Sequence, residues 1–323
     1  MEQTKPILEI KDLSIEYCAN KRVVKAVNHL DLCIEKGESV GLVGETGAGK
    51  TTTALGVMGL IPNPPGVIRS GEILFEGEDL LKLSAKKMRQ IRSKKIAMIF
   101  QDPMTSLNPV MTVGDQIAES YRIHDKLSRA EAAVKAKDML ELVGIPAERY
   151  GEYPHQFSGG MKQRVMIAIA LACSPELLIA DEPTTALDVT IQAQVLELMR
   201  NLKKEYNTSL VLITHDLGVV AKICDKVAVV YAGEIIESGT LKDIYTDKRH
   251  PYTIGLMASK PVVGRQVEKL YSIPGKVPNP INMPDYCYFK DRCEMCVAQC
   301  SGEYPCEVSI SPTHKVSCYR YYD

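Results

Sequence analysis

The feature that most limits how this chain can fold is the glycine-rich segment Gly44-Glu-Thr-Gly-Ala-Gly-Lys50-Thr51, which fits the spacing G-x4-G-K-[ST]. The run ESVGLVG precedes it and TTTALGVM follows it, which predicts a strand, a loop and a helix in that order. Such a loop turns backbone N–H groups toward phosphate oxygens, while the lysine reaches the outer phosphates and the threonine hydroxyl binds Mg²⁺. The other interpretation is a glycine-rich turn without a nucleotide. The residues predicted to line the phosphate site are Gly44, Glu45, Thr46, Gly47, Ala48, Gly49, Lys50, Thr51 and Thr52.

Two carboxylates end a second apolar run, Leu177-Leu-Ile-Ala-Asp181-Glu182. A buried strand that ends in acids places them at the ligand edge of an α/β sheet. We predict that Asp181 binds Mg²⁺, directly or through water, and that Glu182 is the base that polarises the attacking water. An apolar run followed by acids can also be a strand end with solvated charges, so the prediction depends on the phosphate loop.

The order of the remaining segments predicts a parallel α/β sheet with additions. Residues 8–42 are rich in β-formers and predict several short strands, and the helix after the phosphate loop is predicted to end near Ile61. Residues 107–171 look mostly helical, and the strands ELLIADEP and NTSLVLITHD are separated by the amphipathic helix IQAQVLELMRNLKKEY. The run VVYAGEIIESG predicts a hairpin.

A second glycine turn, Ser158-Gly159-Gly160, opens the predicted helix MKQRVMIAIALA. Free N–H groups and the helix dipole make such a turn an anion site. The alternative is a plain serine N-cap followed by glycines.

Together these motifs resemble the nucleotide-binding subunit of ATP-binding-cassette (ABC) transporters. The resemblance includes Gln101 in IFQDP, the segment Thr185-Ala-Leu-Asp188 and His215 in ITHD. It implies an α/β fold: a P-loop ABC-type nucleotide-binding domain with a RecA-like core, an antiparallel β-subdomain and a helical subdomain at about 102–165. It also implies two cassettes that meet head to tail, with each ATP between one phosphate loop and the partner's Ser158 to Gly160 turn.

The same resemblance assigns further roles. Gln101 would contact Mg²⁺, together with Thr51 and Asp181, and relay the nucleotide state to the helical subdomain. Asp188 would order the dimer seam, and His215 would hold the γ-phosphate and the attacking water. Tyr17 would stack on adenine, although a strand residue packed in the β-subdomain is an equal interpretation. The implied catalytic residues are Glu182, His215, Gln101 and Lys50.

The composition changes near His250, where prolines become frequent and predict extended or looped chain through HPYT, SKPVVG and IPGKVPNPINMP. We therefore divide the chain into a nucleotide-binding domain, 1–250, and an extension, 251–323. HPYTIGL, IPGKVPNP and CYFKDRC resemble the C-terminal extension of the D-type ATPase subunits of dipeptide and oligopeptide permeases. Nickel importers share this extension, so a nickel importer is an alternative.

Six of the ten cysteines lie in the last 37 residues. The importer pattern picks out Cys287, Cys293, Cys300 and Cys318, and leaves Cys296 and Cys306 as extras. Four thiolates on a proline-rich loop suit a [4Fe–4S] cluster. Structural zinc, for which Cys296 would replace one ligand, and free thiols or disulfides are alternatives. The cluster would act as a staple for the extension or as a redox brake.

Net charge and hydropathy limit the classes of partner that we expect this chain to bind. The net charge of −1 predicts no strong attraction to nucleic acid or to an acidic membrane surface. No signal peptide is evident and no stretch reaches the roughly 18 apolar residues of a membrane span, which predicts a cytosolic protein. The resemblance to transporter subunits implies a peripheral place on the cytoplasmic face of the cell membrane. The expected partners are a second cassette (a copy or a homologue), two transmembrane permease subunits and, indirectly, an extracytoplasmic peptide-binding protein.

The rival function is a soluble ABC ATPase that acts on nucleic acid through the cysteine tail. The tail from residue 250 carries eight Lys and Arg against seven Asp and Glu, which is too balanced for a surface that tracks phosphates.

Overall fold

The computed structural model describes residues 5–185, 187–259 and 271–322. Ala186, within the predicted Thr185–Asp188 segment, and most of SKPVVG lie outside the described residues. The strands are β1 Leu8–Ala19, β2 Arg22–Ile34, β3 Ser39–Val43, β4 Gly66–Phe75, β5 Glu78–Asp79, β6 Ile96–Ile99, β7 Leu177–Asp181, β8 Ser209–Thr214, β9 Lys226–Tyr231, β10 Glu234–Thr240, β11 Val308–Ser311 and β12 His314–Val316. The α-helices are α1 Lys50–Val57, α2 Ala85–Ile91, α3 Pro103–Ser106, α4 Val113–His124, α5 Arg129–Leu142, α6 Gly159–Leu171, α7 Val189–Tyr206, α8 Leu217–Ile223, α9 Leu241–Thr246 and α10 Pro251–Ala258.

The chain forms two compact units. The first comprises Met1–Ile7, Ile34–Ser39 and Lys82–Ile213, and the second comprises Leu8–Cys33, Val40–Leu81 and Thr214–Asp323. The division predicted at residue 250 and the limits of the helical subdomain stay predictions.

The first unit carries three parallel strands and most of the predicted helices. β6 pairs with β7, and β7 pairs with β8, both in parallel. Every residue of these strands is buried, as expected for parallel strands covered on both faces. Helices α4, α5 and α6 fall in the stretch 107–171 that the sequence predicts to be helical.

The second unit contains an antiparallel sheet of order β2-β1-β4-β5, which matches the predicted β-subdomain. β1 and β2 have 12 and 13 residues, so the prediction of several short strands is wrong in length. Elsewhere in this unit β3 runs parallel to β9, and β9 forms the predicted hairpin with β10. β12, from the extension, pairs antiparallel with β10, and β11 pairs with β12.

Two predicted boundaries are wrong. α1 ends at Val57 rather than near Ile61, because Gly59 adopts φ 59° and Leu60 N–H donates to the carbonyl of Leu55 (2.8 Å), which is a Schellman stop. The segment from His250 contains a helix where loop is predicted. Pro251 occupies the first position of α10, where a backbone N–H would have no partner within the helix, so a proline costs no hydrogen bond. His250 Nδ1 caps the helix by accepting from Tyr252 N–H.

Candidate functional site

The phosphate loop joins β3 to α1. Gly49, the N-cap of α1, has φ 95°, and a Cβ there would lie 2.4 Å from the carbonyl oxygen of Ala26. A Cβ at Gly44 would lie 2.2 Å from the carbonyl oxygen of Val230. Both positions therefore require glycine, the first for its backbone angle and both for the close approach of a neighbouring chain.

The buried Lys50 ammonium lies inside the curve of this loop. Its Nζ donates to the carbonyl oxygens of Gly44 (2.7 Å) and Glu45 (2.9 Å). Thr51 is exposed in the first turn of α1, next to this lysine. A cation and a hydroxyl are thus presented together at the N-terminal end of a helix, as the chemistry of a phosphate–magnesium site requires.

The carboxylate pair lies at the end of β7. Asp181 is buried, and Glu182 follows it with φ 45° while its N–H donates to the carbonyl of Ile213 (2.8 Å). Glu182 Oε2 accepts hydrogen bonds from Thr185 Oγ1 (2.8 Å) and Gln101 Nε2 (3.2 Å). The structure thus brings Gln101 to Glu182 and adds Thr185, whose contact the sequence analysis missed.

The second glycine turn packs beside α7. Ser158 caps α6 by accepting from Met161 N–H (3.4 Å), so the N-cap interpretation holds for its hydroxyl. A Cβ at Gly160 would lie 2.5 Å from Ile191 Cγ2, in the first turn of α7. Asp188 caps α7 and accepts from Ile191 N–H (2.9 Å). Ser158, Gly159 and Asp188 are exposed.

His215 and Tyr17 belong to the second unit. His215 is exposed and lies directly after β8, before Asp216, which caps α8 through Gly218 N–H (2.9 Å). Tyr17 is half-buried on β1 and lines an open cavity of about 490 Å³ together with Val24 and Ile281. A tyrosine that lines a cavity from within a strand fits both interpretations of this residue.

The predicted site residues divide between the two units. Gln101, Ser158, Gly159, Gly160, Asp181, Glu182 and Asp188 lie in the first. Tyr17, residues 44–52, His215 and the six clustered cysteines lie in the second. Their roles stay predictions.

Glu45 makes contacts that no motif announced. Its carboxylate forms two hydrogen bonds with Arg292, Nη1 to Oε2 and Nη2 to Oε1, each 3.0 Å. Its N–H donates to the hydroxyl of Tyr252 (3.0 Å). Both partners follow residue 250, so the extension touches the phosphate loop directly.

A second missed cluster surrounds the buried Glu237 of β10. Its Oε1 accepts from Arg249 N–H (2.6 Å) and lies 2.8 Å from His314 Nε2, and its Oε2 accepts from His250 N–H (2.9 Å). Burial lowers the pKa of His250 to about 3, so this ring is neutral when folded. The carboxylate fixes the start of α10 and the start of β12 to the same strand.

The clustered cysteines are free thiols with different exposure. Cys287, Cys300 and Cys318 are buried, and Cys293 is half-buried. Burial, and then the neighbouring thiols Cys300, Cys318 and Cys293, raise the pKa of Cys287 to about 12. In the described part of the chain, no three His, Cys, Asp or Glu residues group closely enough to hold a metal ion, so the predicted metal site has no support here.

Membrane spans were also predicted to be absent from the chain. Among the residues that the structure describes, no helix combines the length and the apolar character that crossing a bilayer requires.

Two family patterns match this sequence. The family described as "ABC transporter" matches residues 27–185. The family described as "Oligopeptide/dipeptide transporter, C-terminal region" matches residues 236–300.

Relatives match along nearly the whole chain. The oligopeptide transport ATP-binding protein OppD of Bacillus subtilis is 51% identical over 316 residues, 97% of this chain and 88% of the relative. The dipeptide transport ATP-binding protein DppD of the same organism is 47% identical, over 97% of this chain and 94% of the relative.

Solved structures resemble the cassette part. The dimeric post-hydrolysis state of the ATP-binding cassette MJ0796, bound to ADP and Pi, has a TM-score of 0.66 at 26% identity, over 72% of this chain and 98% of that one. CbiO1 from Clostridium perfringens, part of an ABC transporter complex, has a TM-score of 0.64 at 28% identity, over 78% and 95%. The predicted fold class is confirmed.

Proposed function

The chain belongs to the ABC transporter family, in its oligopeptide and dipeptide transport branch, and from this membership we propose that it hydrolyses ATP to energise the import of oligopeptides or dipeptides. The observation that carries the proposal is the phosphate loop, with Lys50 inside its curve, in a chain that matches a peptide transport protein over 97% of its length. The relatives reported above are named for peptides, which favours peptides over nickel.

The residues present suit Mg-ATP. Thr51, Gln101 and Asp181 supply the oxygen donors that Mg²⁺ prefers and would hold it, and bound Mg²⁺ would neutralise phosphate charge. Loop N–H groups and Lys50 would bind the phosphates. These assignments rest on donor chemistry and on the family motifs.

Glu182 is proposed as the general base. It would accept the proton of the attacking water as the oxygen bonds to the γ-phosphorus and the bond to the leaving ADP oxygen breaks. Thr185 and Gln101 hold the carboxylate, because both donate to its Oε2. His215 would orient the γ-phosphate and the water.

The second active-site half is proposed to come from another cassette. Ser158, Gly159 and Gly160 would contact the partner's ATP, with Asp188 at the seam. The exposure of Ser158, Gly159 and Asp188 supports this, because a dimer contact needs accessible groups. Two transmembrane permeases, an extracytoplasmic peptide-binding protein and a place on the cytoplasmic face of the membrane complete the proposal.

The Glu182→Gln variant tests this catalytic role. We expect MgATP to bind with near-normal affinity, hydrolysis to fall at least about 100-fold, and the protein to elute as a dimer with ATP. The matched control is Glu197→Gln, on the exposed face of α7, which should keep normal turnover. Unchanged turnover in Glu182→Gln would show that another group is the base.

Uptake measurements test the substrate class. Cells that lack this chain should lose import of labelled dipeptides or oligopeptides and keep nickel import. Loss of nickel import alone would assign the chain to the nickel branch.

We further propose that Cys287, Cys293, Cys300 and Cys318 hold a [4Fe–4S] cluster. What supports this is that Cys287, Cys300 and Cys318 are buried and Cys293 is half-buried. Burial raises the pKa of Cys287, and the other three thiols contribute to the same shift. A cluster spaces its ligands more widely than a single zinc ion does, and bound iron would favour the thiolates.

Anaerobic purification with iron and acid-labile sulfide analysis tests the cluster. Cys300→Ser should lose both, whereas the exposed Cys306→Ser should retain them. Stoichiometric zinc without sulfide would exclude the cluster.

A further inference from the structure

Arg292 connects the extension to the phosphate loop. It ends a short 3₁₀ turn, Lys290–Arg292, immediately before Cys293. Its guanidinium makes a two-bonded pair with the Glu45 carboxylate, and its side chain is only 6% exposed against 30% for Glu45. Paired bonds of this kind fix orientation as well as distance.

The guanidinium is itself held in place. Nε donates to the carbonyl of Pro274 (2.9 Å), and Nη1 also lies 3.3 Å from the hydroxyl of Tyr231. The extension and β9 therefore hold the guanidinium independently of its bonds to the loop.

Glu45 contacts both the extension and Lys50 of the phosphate loop. Its N–H donates to the hydroxyl of the buried Tyr252, its carboxylate binds Arg292, and its carbonyl accepts from Lys50 Nζ (2.9 Å). All three polar parts of one loop residue are thus engaged, two of them by the extension. A shift of Glu45 would move a carbonyl that contacts the phosphate-binding lysine.

We propose that Arg292 is a positioning residue for nucleotide binding: through Glu45 it holds the phosphate loop and Lys50 in the arrangement that accepts phosphates. The inference rests on the proposed function as an ATPase and deepens it. It makes the extension part of the nucleotide site. The competing explanation is that Arg292 only holds the extension together through Pro274 and Tyr231.

A double-mutant cycle in the full chain separates the two explanations. Glu45→Gln, Arg292→Gln and the double variant are titrated with MgADP by calorimetry, which avoids hydrolysis. We expect each single variant to raise the Kd for MgADP roughly 10- to 100-fold, the range of charge-assisted hydrogen bonds. The Kd of the double variant should be no higher than that of the single variant that binds more weakly. Arg292→Lys should fall between, because it keeps the charge and loses the second bond.

A control variant and steady-state kinetics distinguish a specific effect on nucleotide binding from a general effect of losing an arginine. Arg200→Gln breaks an exposed Arg–Glu pair on α7 (2.7 Å) and should leave the Kd unchanged. In steady state the Arg292 variants should raise the KM for ATP and change kcat less than about twofold, because uniform binding is lost. Normal ADP affinity in Glu45→Gln, or additive effects in the cycle, would overturn the proposal.

Hydrogen exchange distinguishes failure of this inference from failure of the proposed function. Amides 44–50 of the nucleotide-free protein should exchange faster in Arg292→Gln and Glu45→Gln than in the wild type or Arg200→Gln. If the wild type binds no MgADP, the proposed function fails and this measurement still tests the positioning. Unchanged exchange in both variants would contradict it.

Discussion

The phosphate loop and the extension are held by contacts of different range. Within the loop, Lys50 reaches Gly44 and Glu45, which lie six and five positions away. The extension is attached by Arg292 to Glu45 across 247 positions and by His314 to Glu237 across 77. The phosphate loop thus contains contacts between residues that are near in sequence, whereas the extension contacts the loop and β10 through residues that are far apart in sequence.

The two regions should therefore respond differently to mutation. Removing a long-range polar contact should lower the free energy of unfolding, because it leaves buried polar groups without a hydrogen bond. Removing a short-range contact near the carboxylates should lower turnover and leave stability nearly unchanged. The following predictions test this difference, beginning with the largest expected effect.

Glu237→Ala should lower the free energy of unfolding by about 3–5 kcal/mol, because it leaves buried N–H groups and the ring of His314 without their carboxylate. Urea unfolding measures it. The control, Glu307→Ala, breaks an exposed pair with Lys315 (2.7 Å) and should cost less than about 1 kcal/mol. Equal losses in both variants would show that the buried, long-range contacts of Glu237 stabilise the fold no more than an exposed pair does.

Acid should weaken the attachment of α10 through His250. The folded pKa of about 3 lies below the ordinary 6.5, so below pH 6.5 the unfolded chain binds more protons than the folded one. The free energy of unfolding should fall by up to about 1.4 kcal/mol per pH unit from this residue as the pH drops from 6.5 toward 3. His250→Asn keeps a capping oxygen and should show a shallower slope in urea unfolding between pH 7.5 and 5. Parallel slopes would contradict the assignment.

Thr185→Val should lower kcat roughly tenfold, about 1.4 kcal/mol, because Glu182 loses the hydroxyl that orients its Oε2. Phosphate release at saturating ATP measures it, and the urea midpoint should stay unchanged. Thr185→Ser keeps the hydroxyl and should retain most of the activity. A large loss of stability in Thr185→Val would place this contact with the structural ones.

The same difference in range explains what could be predicted from the sequence. The residues from Gly44 to Thr51 are contiguous, as are the acids at 181 and 182, so residue type and spacing are enough to predict their chemistry, and their roles stay predictions. The prolines after Ile61 predict an end for α1 that is too late, because Gly59 ends the helix before them. The prolines after His250 predict a loop, but Pro251 occupies the first turn of α10, where a proline is favourable. Arg292 and Glu45 share no local pattern, and only the folded chain brings them together.

The pairing of β12 with β10 also sets a schedule for synthesis. β10 can pair with β12 only after residues 314–316 have been synthesised. His314, whose ring contacts the Glu237 carboxylate, follows Glu237 by 77 positions. At roughly 5–20 residues per second a ribosome needs about 4–15 s for that distance. During this interval one edge of β10 is unpaired and can join another nascent chain. Crowded polysomes should therefore be where this protein is most easily lost to aggregation, and slower translation after residue 240 should increase the loss.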